Sequence, residues 1–286
     1  MRTIVHLSDL HFGAADPVLV SALIQEVTRL APHVVAVSGD LTQRARRAQF
    51  RAARDFLATL PAPLVVVPGN HDVPLYNVFA RFATPLRGFR KHVARETTQF
   101  VDNEVAIIGA DTTRAFTIKD GGLTERDVAR LVQQLNTVPS SAVRVLVCHH
   151  PFDQPHSRAA RLTRPAPWRD AVITLIEHGV DLFLTGHRHL SFAGHTAARY
   201  RVYGRSAIVV EAGTATSVRA RGEANAFNVV RVDRRQVTVD RLEWQAASGR
   251  FHAVHRERFD CAAAAGWTTS DVNGHATTRA GLTPEP

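Results

Sequence analysis

Val34-Val35-Ala36-Val37-Ser38-Gly39-Asp40 carries no charge until its last residue. An apolar, β-branched run of this kind reads as a strand buried on both faces. Gly39 ends it in a turn that leaves the Asp40 carboxylate at the strand's carboxyl end. The pattern recurs. Leu64-Val65-Val66-Val67-Pro68-Gly69 leads to Asn70, and Val180-Asp181-Leu182-Phe183-Leu184-Thr185-Gly186 leads to His187. Two further runs end in polar residues without the glycine: Ile4-Val5-His6-Leu7-Ser8 precedes Asp9 and His11, and Val143-Arg144-Val145-Leu146-Val147-Cys148 precedes His149 and His150. Five strand ends bearing only Asp, Asn and His point to one metal site.

The spacing of these ends predicts the topology. Positions 9, 40 and 70 lie about thirty residues apart, the length of a βαβ unit, so the three strands run parallel and their carboxyl ends share the edge where open α/β sheets bind ligands. Residues 17–30, with Pro17 at the start, and the Arg-rich residues 45–60 supply the intervening helices. A short strand over 105–109 leads to Asp111, which reads as a turn-capping residue or, alternatively, as one reaching the site from a neighbouring strand end. Thr124 is placed to cap a helix running through Leu135, and a further helix covers 168–178. From Phe192 onward the pattern changes to strands without long helices, at 206–212, 225–233, 236–244 and 250–258, with a hairpin turn at Arg234-Arg235. These predict a second, largely antiparallel sheet. One domain is expected over residues 1–260, followed by a mobile tail, residues 261–286, rich in Ala, Thr, Gly and Pro.

The chain has 286 residues, two cysteines and a formal net charge of +9. Two cysteines are too few for a disulfide framework. No apolar run approaches the roughly 20 residues that span a bilayer, and the start has no secretory pattern, so a cytoplasmic protein is expected. The positive charge favours anionic ligands: phosphate esters, nucleic acid or an anionic lipid surface. Residues 75–95 interleave Tyr76, Phe79, Phe82 and Phe89 with Arg81, Arg87, Arg90, Lys91 and Arg95. They read either as a substrate-side wall or as a helical cap whose aromatics face the core. Residues 152–169, with Arg158, Arg161, Arg164 and Arg169, read as a specificity loop.

Collected, the strand ends give Asp9, His11, Asp40, Asn70, His149, His187 and His189. Seven nitrogen or oxygen donors without a thiolate exceed one tetrahedral zinc, but suit two divalent ions that share a carboxylate. Asp40 is the natural bridge, because Asp9 is paired with His11. Two ions roughly 3.5 to 4 Å apart would hold a bridging hydroxide as nucleophile for attack at phosphorus. Within Asn70-His71-Asp72, Asn70 offers a neutral oxygen and Asp72 is placed to orient the His71 imidazole. Taken alone, the tripeptide also reads as an ordinary turn.

Asp9-Leu10-His11, Gly39-Asp40, Gly69-Asn70-His71-Asp72, His149-His150-Pro151 and Gly186-His187-Arg188-His189 follow one another as the motifs of the calcineurin-like metallophosphoesterases do, and the chain resembles that superfamily over residues 9–189. Residues 122–135 also look like the matching segment of its bacterial cyclic-nucleotide phosphodiesterase (class III) branch. The resemblance implies a four-layer α/β/β/α sandwich of two mixed β-sheets flanked by helices, with a binuclear centre of manganese or iron, or alternatively zinc, at the sheet edges. It implies that Asp9, His11, Asp40 and His189 hold one metal, and that Asp40, Asn70, His149 and His187 hold the other. His71 would contact the phosphate and assist the leaving group, Asp72 would orient it, and His150 would support the ligands from behind. The expected activity is hydrolysis of a small phosphodiester, a cyclic nucleotide or a glycerophosphodiester. The alternatives are a phospholipid or lipid-precursor diester at an anionic membrane surface, a phosphomonoester, and a non-catalytic scaffold. The compact chain has no inserted domain of the kind a duplex-gripping nuclease needs, which speaks against nucleic acid. A late edge strand offers a pairing surface for a homo-oligomer.

Overall fold

The computed structural model describes every residue except 94–97, 153–165, 198–199, 201, 203, 219–221, 263–265 and 271–286. The first sheet is nucleated by β1 (Arg2–Leu7), whose all-apolar partners β2 (Val34–Val37) and β3 (Leu64–Val66) pair with it in parallel. The crossovers are helices α1 (Pro17–Leu30) and α2 (Arg47–Leu57). Asp16 caps α1 by accepting the Val18 N–H at 2.8 Å, Pro17 occupies the first turn, and Leu19, Leu23 and Val27 turn inward.

Short helices α3 (Val78–Ala83) and α4 (Arg87–His92) follow, then strands β4 (Gln99–Val101) and β5 (Val105–Gly109). Helix α5 (Glu125–Thr137) begins at the predicted Thr124 cap, where Thr124 and Asp127 bond each other's backbone reciprocally. Strand β6 (Val143–Val147), helix α6 (Ala166–Glu177) and strands β7 (Leu182–Thr185), β8 (Phe192–His195) and β9 (Ile208–Glu211) complete a second sheet ordered β4-β5-β6-β7-β9-β8. Ile4, Val34, Val65, Ile107, Val145 and Leu184 belong to one core between the sheets. Apolar side chains of α1 and α2 cover the outer face of the first sheet, and those of α5 and α6 cover the second. The result is the expected α/β/β/α arrangement of two mixed sheets.

Two expectations change. The late antiparallel strands do not make a sheet of their own: β10 (Ala226–Asp233) pairs with the second edge of β1, and β11 (Gln236–Gln245) and β12 (Arg250–Ala262) extend the first sheet outward. β9 instead joins β7 in parallel, because its Ile-Val-Val run is buried throughout. The tail also begins later than position 261. β13 (Gly266–Ser270) pairs with β12, since Trp267 is 2% exposed and donates its indole N–H to Asp181 at 2.9 Å. Residues 271–286, and most of the expected specificity loop, lie outside the described residues. No helix among those described is long and apolar enough to cross a membrane.

Trp267 closes the core between the sheets. Trp267→Ala should therefore destabilise the fold by about 3 to 5 kcal/mol, and cutting the chain after Ala262 should do at least as much, read as a lowered urea midpoint. An unchanged midpoint in both would mean that β13 adds nothing to the core.

Candidate metal centre

The carboxyl ends of β1, β2 and β3 meet those of β6 and β7 at one edge of the sandwich. Main-chain bonds lock the loops together: Asp9 N–H donates to Gly39 at 3.1 Å, His11 N–H to Asp40 at 2.9 Å, and Gly186 N–H to His149 at 3.0 Å. Among the described residues, seven non-glycine residues have positive φ, and five of them are Asp9, His11, Asp40, His187 and His189. Left-handed backbone costs an L-residue conformational energy, and it is tolerated where packing fixes it for a local purpose. Here it folds consecutive side chains back over the strand ends. Two glycines permit the crowding: a Cβ on Gly69 would collide with the Asp40 carboxylate, and one on Gly186 would collide with Ser8 and Asp9.

The side chains form two groups around one carboxylate. In the first, Asp9 Oδ1 lies 3.0 Å from His189 Nε2 and 3.6 Å from His11 Nε2, and the two imidazole nitrogens are 3.0 Å apart. In the second, Asn70 Oδ1 lies 3.0 Å from both His149 Nε2 and His187 Nδ1, which are 3.2 Å from each other. Asp40 Oδ2 faces both groups, 3.8 Å from His11 Nε2 and 3.4 Å from His149 Nε2, while Asp40 Oδ1 accepts the His71 N–H at 2.8 Å. Asp9, His11, Asp40, His149 and His189 are all at least 96% buried.

These residues fit divalent cations. Imidazole nitrogens and carbonyl or carboxylate oxygens facing one another at about 3 Å have the spacing of neighbouring ligands at right angles on bonds of about 2.1 Å. Four overlapping groups of Asp and His donors have all their ligand atoms within 4.8 Å of one another. The His149 Nδ1 lies 2.8 Å from the Ser38 carbonyl, which only accepts, so that nitrogen carries the proton and Nε2 is turned into the cluster.

Electrostatics agree. Burial opposes ionisation of Asp9, but hydrogen bonds from His11 and His189 and the nearby imidazoles outweigh it and hold the carboxyl well below the usual range. Asp40 is likewise lowered, burial being overcome chiefly by His149. Burial also opposes protonation of His149, yet the Asp40 charge beside it lifts its pKa to about 9. Without metal, the cluster therefore carries a proton where a cation would sit.

One expectation is corrected. Asp72 does not orient the His71 ring: its carboxylate turns back into the main chain, accepting from the N–H groups of Leu41, Thr42 and Gly69 at 2.9–3.1 Å and from the Thr42 hydroxyl at 2.9 Å. Asp72 thus pins the loop after β2 to the Asn70–Asp72 turn, and burial beside Asp40 raises its pKa to about 6. The ring of His71 is set by the Gln43 carbonyl, 2.9 Å from Nδ1. Sequence patterns do not reveal this partner because it is a main-chain oxygen. His150 is nearly buried, with Nδ1 2.8 Å from the Thr112 hydroxyl and its ring 4.8 Å from that of His187. Asp111 caps its own turn as expected, bonding Thr113. Arg188, inside the His187–His189 loop, is tied to buried Glu211 at 2.8 Å. Only this fold places Glu211 opposite it.

A cavity of about 320 Å³ opens over the centre, with Asp40, Asn70, His71, His187 and His189 at its base and Arg44 and Lys119 on its wall. Residues 2–191 match the model of the calcineurin-like phosphoesterase family. The chain belongs to this family. A glycerophosphodiester phosphodiesterase, GpdQ, of Enterobacter lignolyticus is 29% identical over 52% of this phosphoesterase, an alignment that spans 56% of the Enterobacter protein. A protein named probable cyclic nucleotide phosphodiesterase, from Vesicomyosocius okutanii, is 24% identical over 65% of the chain and 78% of its own length. Among solved structures, a dimetal phosphatase of Danio rerio superposes with a TM-score of 0.62 at 12% identity, over 93% of this chain and 99% of its own. Yellow lupin purple acid phosphatase also gives 0.62, at 13% identity, over 89% of this chain and 53% of its own. At such identities these two likenesses concern the fold.

The raised pKa of His149 gives a signed test of metal binding. Above its unfolded value, the imidazolium of the metal-free protein contributes stability that is complete below about pH 6.5 and lost as pH rises through about 9. Metal binding at pH 7.5 must therefore expel a proton, and affinity should climb as pH approaches 9. Calorimetric titration with manganese in buffers of different ionisation enthalpy should show about one released proton per chain. Heats independent of the buffer would contradict this.

Proposed function

We propose that the chain is a dimetal-dependent phosphodiesterase of small anionic diesters, a cyclic nucleotide or a glycerophosphodiester. The observation that carries this reading is one Asp40 oxygen facing two separate donor groups at the base of a cavity that also exposes His71. The diester preference is supported by the names of the two sequence relatives. In this reading Asp9, His11, Asp40 and His189 would hold one ion, and Asp40, Asn70, His149 and His187 the other. An all nitrogen and oxygen donor set suits manganese or iron, with zinc as the alternative. When bound, the ions would supply Lewis-acid polarisation of the phosphoryl oxygens and a water of lowered pKa.

The chain's own residues do the rest. With Nδ1 protonated toward the Gln43 carbonyl, His71 exchanges its other proton through Nε2, as a general acid for the leaving alcohol must. Arg44 and Lys119 give the approach a positive wall, and Asp72 keeps the His71 turn registered against Asp40. A non-catalytic scaffold needs no such convergence of donors.

A second reading, a lipid-derived diester met at an anionic membrane surface, is favoured by one observation. Tyr76, Val78, Phe79 and Phe82 on and beside α3 are exposed together with Phe116, which packs on Phe82, and Ile118, which lines the cavity; Phe79 is exposed by 83% and Phe116 by 89%. Buried Arg81 ties the two segments by donating to the carbonyls of Ala115 and Thr117. Sedimentation with phosphatidylglycerol vesicles at moderate salt separates the readings: binding that Phe79→Ser and Phe116→Ser abolish supports the surface reading, and absence of binding removes it.

For either substrate, Asp40→Ala should reduce hydrolysis of bis(p-nitrophenyl) phosphate with added manganese to background. His71→Ala should lower kcat by about 10²- to 10⁴-fold. Wild-type turnover in Asp40→Ala would rule out the dimetal mechanism.

A further inference from the structure

A second cavity, of about 560 Å³, opens between the start of α2 and helices α3 and α4, and it is continuous with the catalytic cavity because Arg44 and Leu75 line both. Its wall carries five cations, Arg44, Arg46, Arg47, Arg87 and Lys91, and no carboxylate among the described residues. Several surface arginines elsewhere are paired, Arg29 with Glu26, Arg54 with Asp55, and Arg130 with Asp127, while others such as Arg51 and Arg126 stand singly among the described residues. None of the five cavity cations has an ion-pair partner among the described residues. Arg46 and Arg47 also stand at the first positions of α2, where the helix dipole disfavours positive charge and no acidic residue offsets them.

The cavity is a built concavity. A Cβ on Gly88 would come within 2.5 Å of the Phe50 ring, so only glycine lets α4 lie this close to α2. The crowding of charge is felt at His92, whose imidazole is held below its ordinary pKa by burial and then by Lys91, Arg54, Arg47 and Arg51. A merely solvated basic face disperses its charges and pairs some of them. Five unpaired cations converging on one groove, next to a phosphoester site, instead form a receptor for a multiply charged anion.

We propose that this groove seats a second phosphate group, carried on one arm of the substrate, while the scissile phosphate lies over Asp40 and His71. The proposal rests on the diesterase reading for the identity of the scissile bond and narrows its substrate class to diesters bearing an additional phosphoryl group. That group has two chemical sources, a phosphorylated nucleotide arm or a phosphorylated lipid headgroup. Arg44, lining both cavities and lying 5.9 Å from the Tyr76 ring centre, joins the two subsites.

The test compares ligand pairs that differ only in the extra phosphate. Calorimetric binding to the full chain in chelator would use the 2′-phosphate of adenosine 3′,5′-cyclic monophosphate against adenosine 3′,5′-cyclic monophosphate, and glycerophosphoinositol 4-phosphate against glycerophosphoinositol. The wild type should prefer the extra phosphate at least about tenfold in one pair, which identifies the source, and this preference should shrink as salt is raised. In Arg87→Ala/Lys91→Ala, with folding checked by circular dichroism, the ratio should fall toward one. Arg54→Ala, outside the groove, should keep it. A wild-type ratio near one in both pairs, or a preference that survives the double substitution, would overturn the proposal. Neither outcome depends on turnover, so hydrolysis of bis(p-nitrophenyl) phosphate reports separately on the diesterase reading.

Discussion

Two buried carboxylates, Asp9 and Asp40, surrounded by the imidazoles of His11, His149, His187 and His189, are the constraint on which the rest of this molecule turns. Unpaired charge in a protein interior is costly, and the imidazolium that Asp40 holds at His149 offsets only one of the two carboxylates. The sandwich nevertheless brings seven such donors to one edge, drawn from five strand ends, and holds five of them in left-handed backbone. A fold that accepts this desolvation and strain together presents a set of donors that could hold metal ions.

The two-sheet architecture supplies that arrangement. Parallel β1, β2 and β3 bring Asp9, His11, Asp40 and Asn70 from one sheet, whereas β6 and β7 bring His149, His187 and His189 from the other. Neither sheet holds a full set for two ions. Each donor group draws on both sheets, so the core between them, which includes Trp267, holds the halves of each group together as well as stabilising the chain.

Much of this was legible because buried parallel strands are uninterrupted apolar runs and their ends are marked by abrupt polarity. Val34 to Asp40 announces both the strand and its ligand. Other features escaped for physical reasons. Alternation in residues 226–245 marks a hairpin but not the sheet edge it joins, which depends on the unpaired side of β1. Asp72 follows His71 directly, yet its hydrogen bonds lead to Leu41, Thr42 and Gly69, while the true partner of His71 is a carbonyl without side-chain identity. The basic groove draws on residues 44–47 and 87–91, which only the α2–α4 packing makes neighbours.

The donors thus come from the strand ends, whereas the walls of the two cavities beside them come largely from the loops and helices around residues 43–47, 73–92 and 118–119. In the proposed mechanism Asp40 stands between two cations. Anomalous X-ray diffraction from manganese-soaked crystals tests it most directly. Two peaks per chain are expected, one on the Asp9, His11 and His189 side of the Asp40 carboxylate and one on the Asn70, His149 and His187 side. A single peak, or peaks away from Asp40, would contradict it.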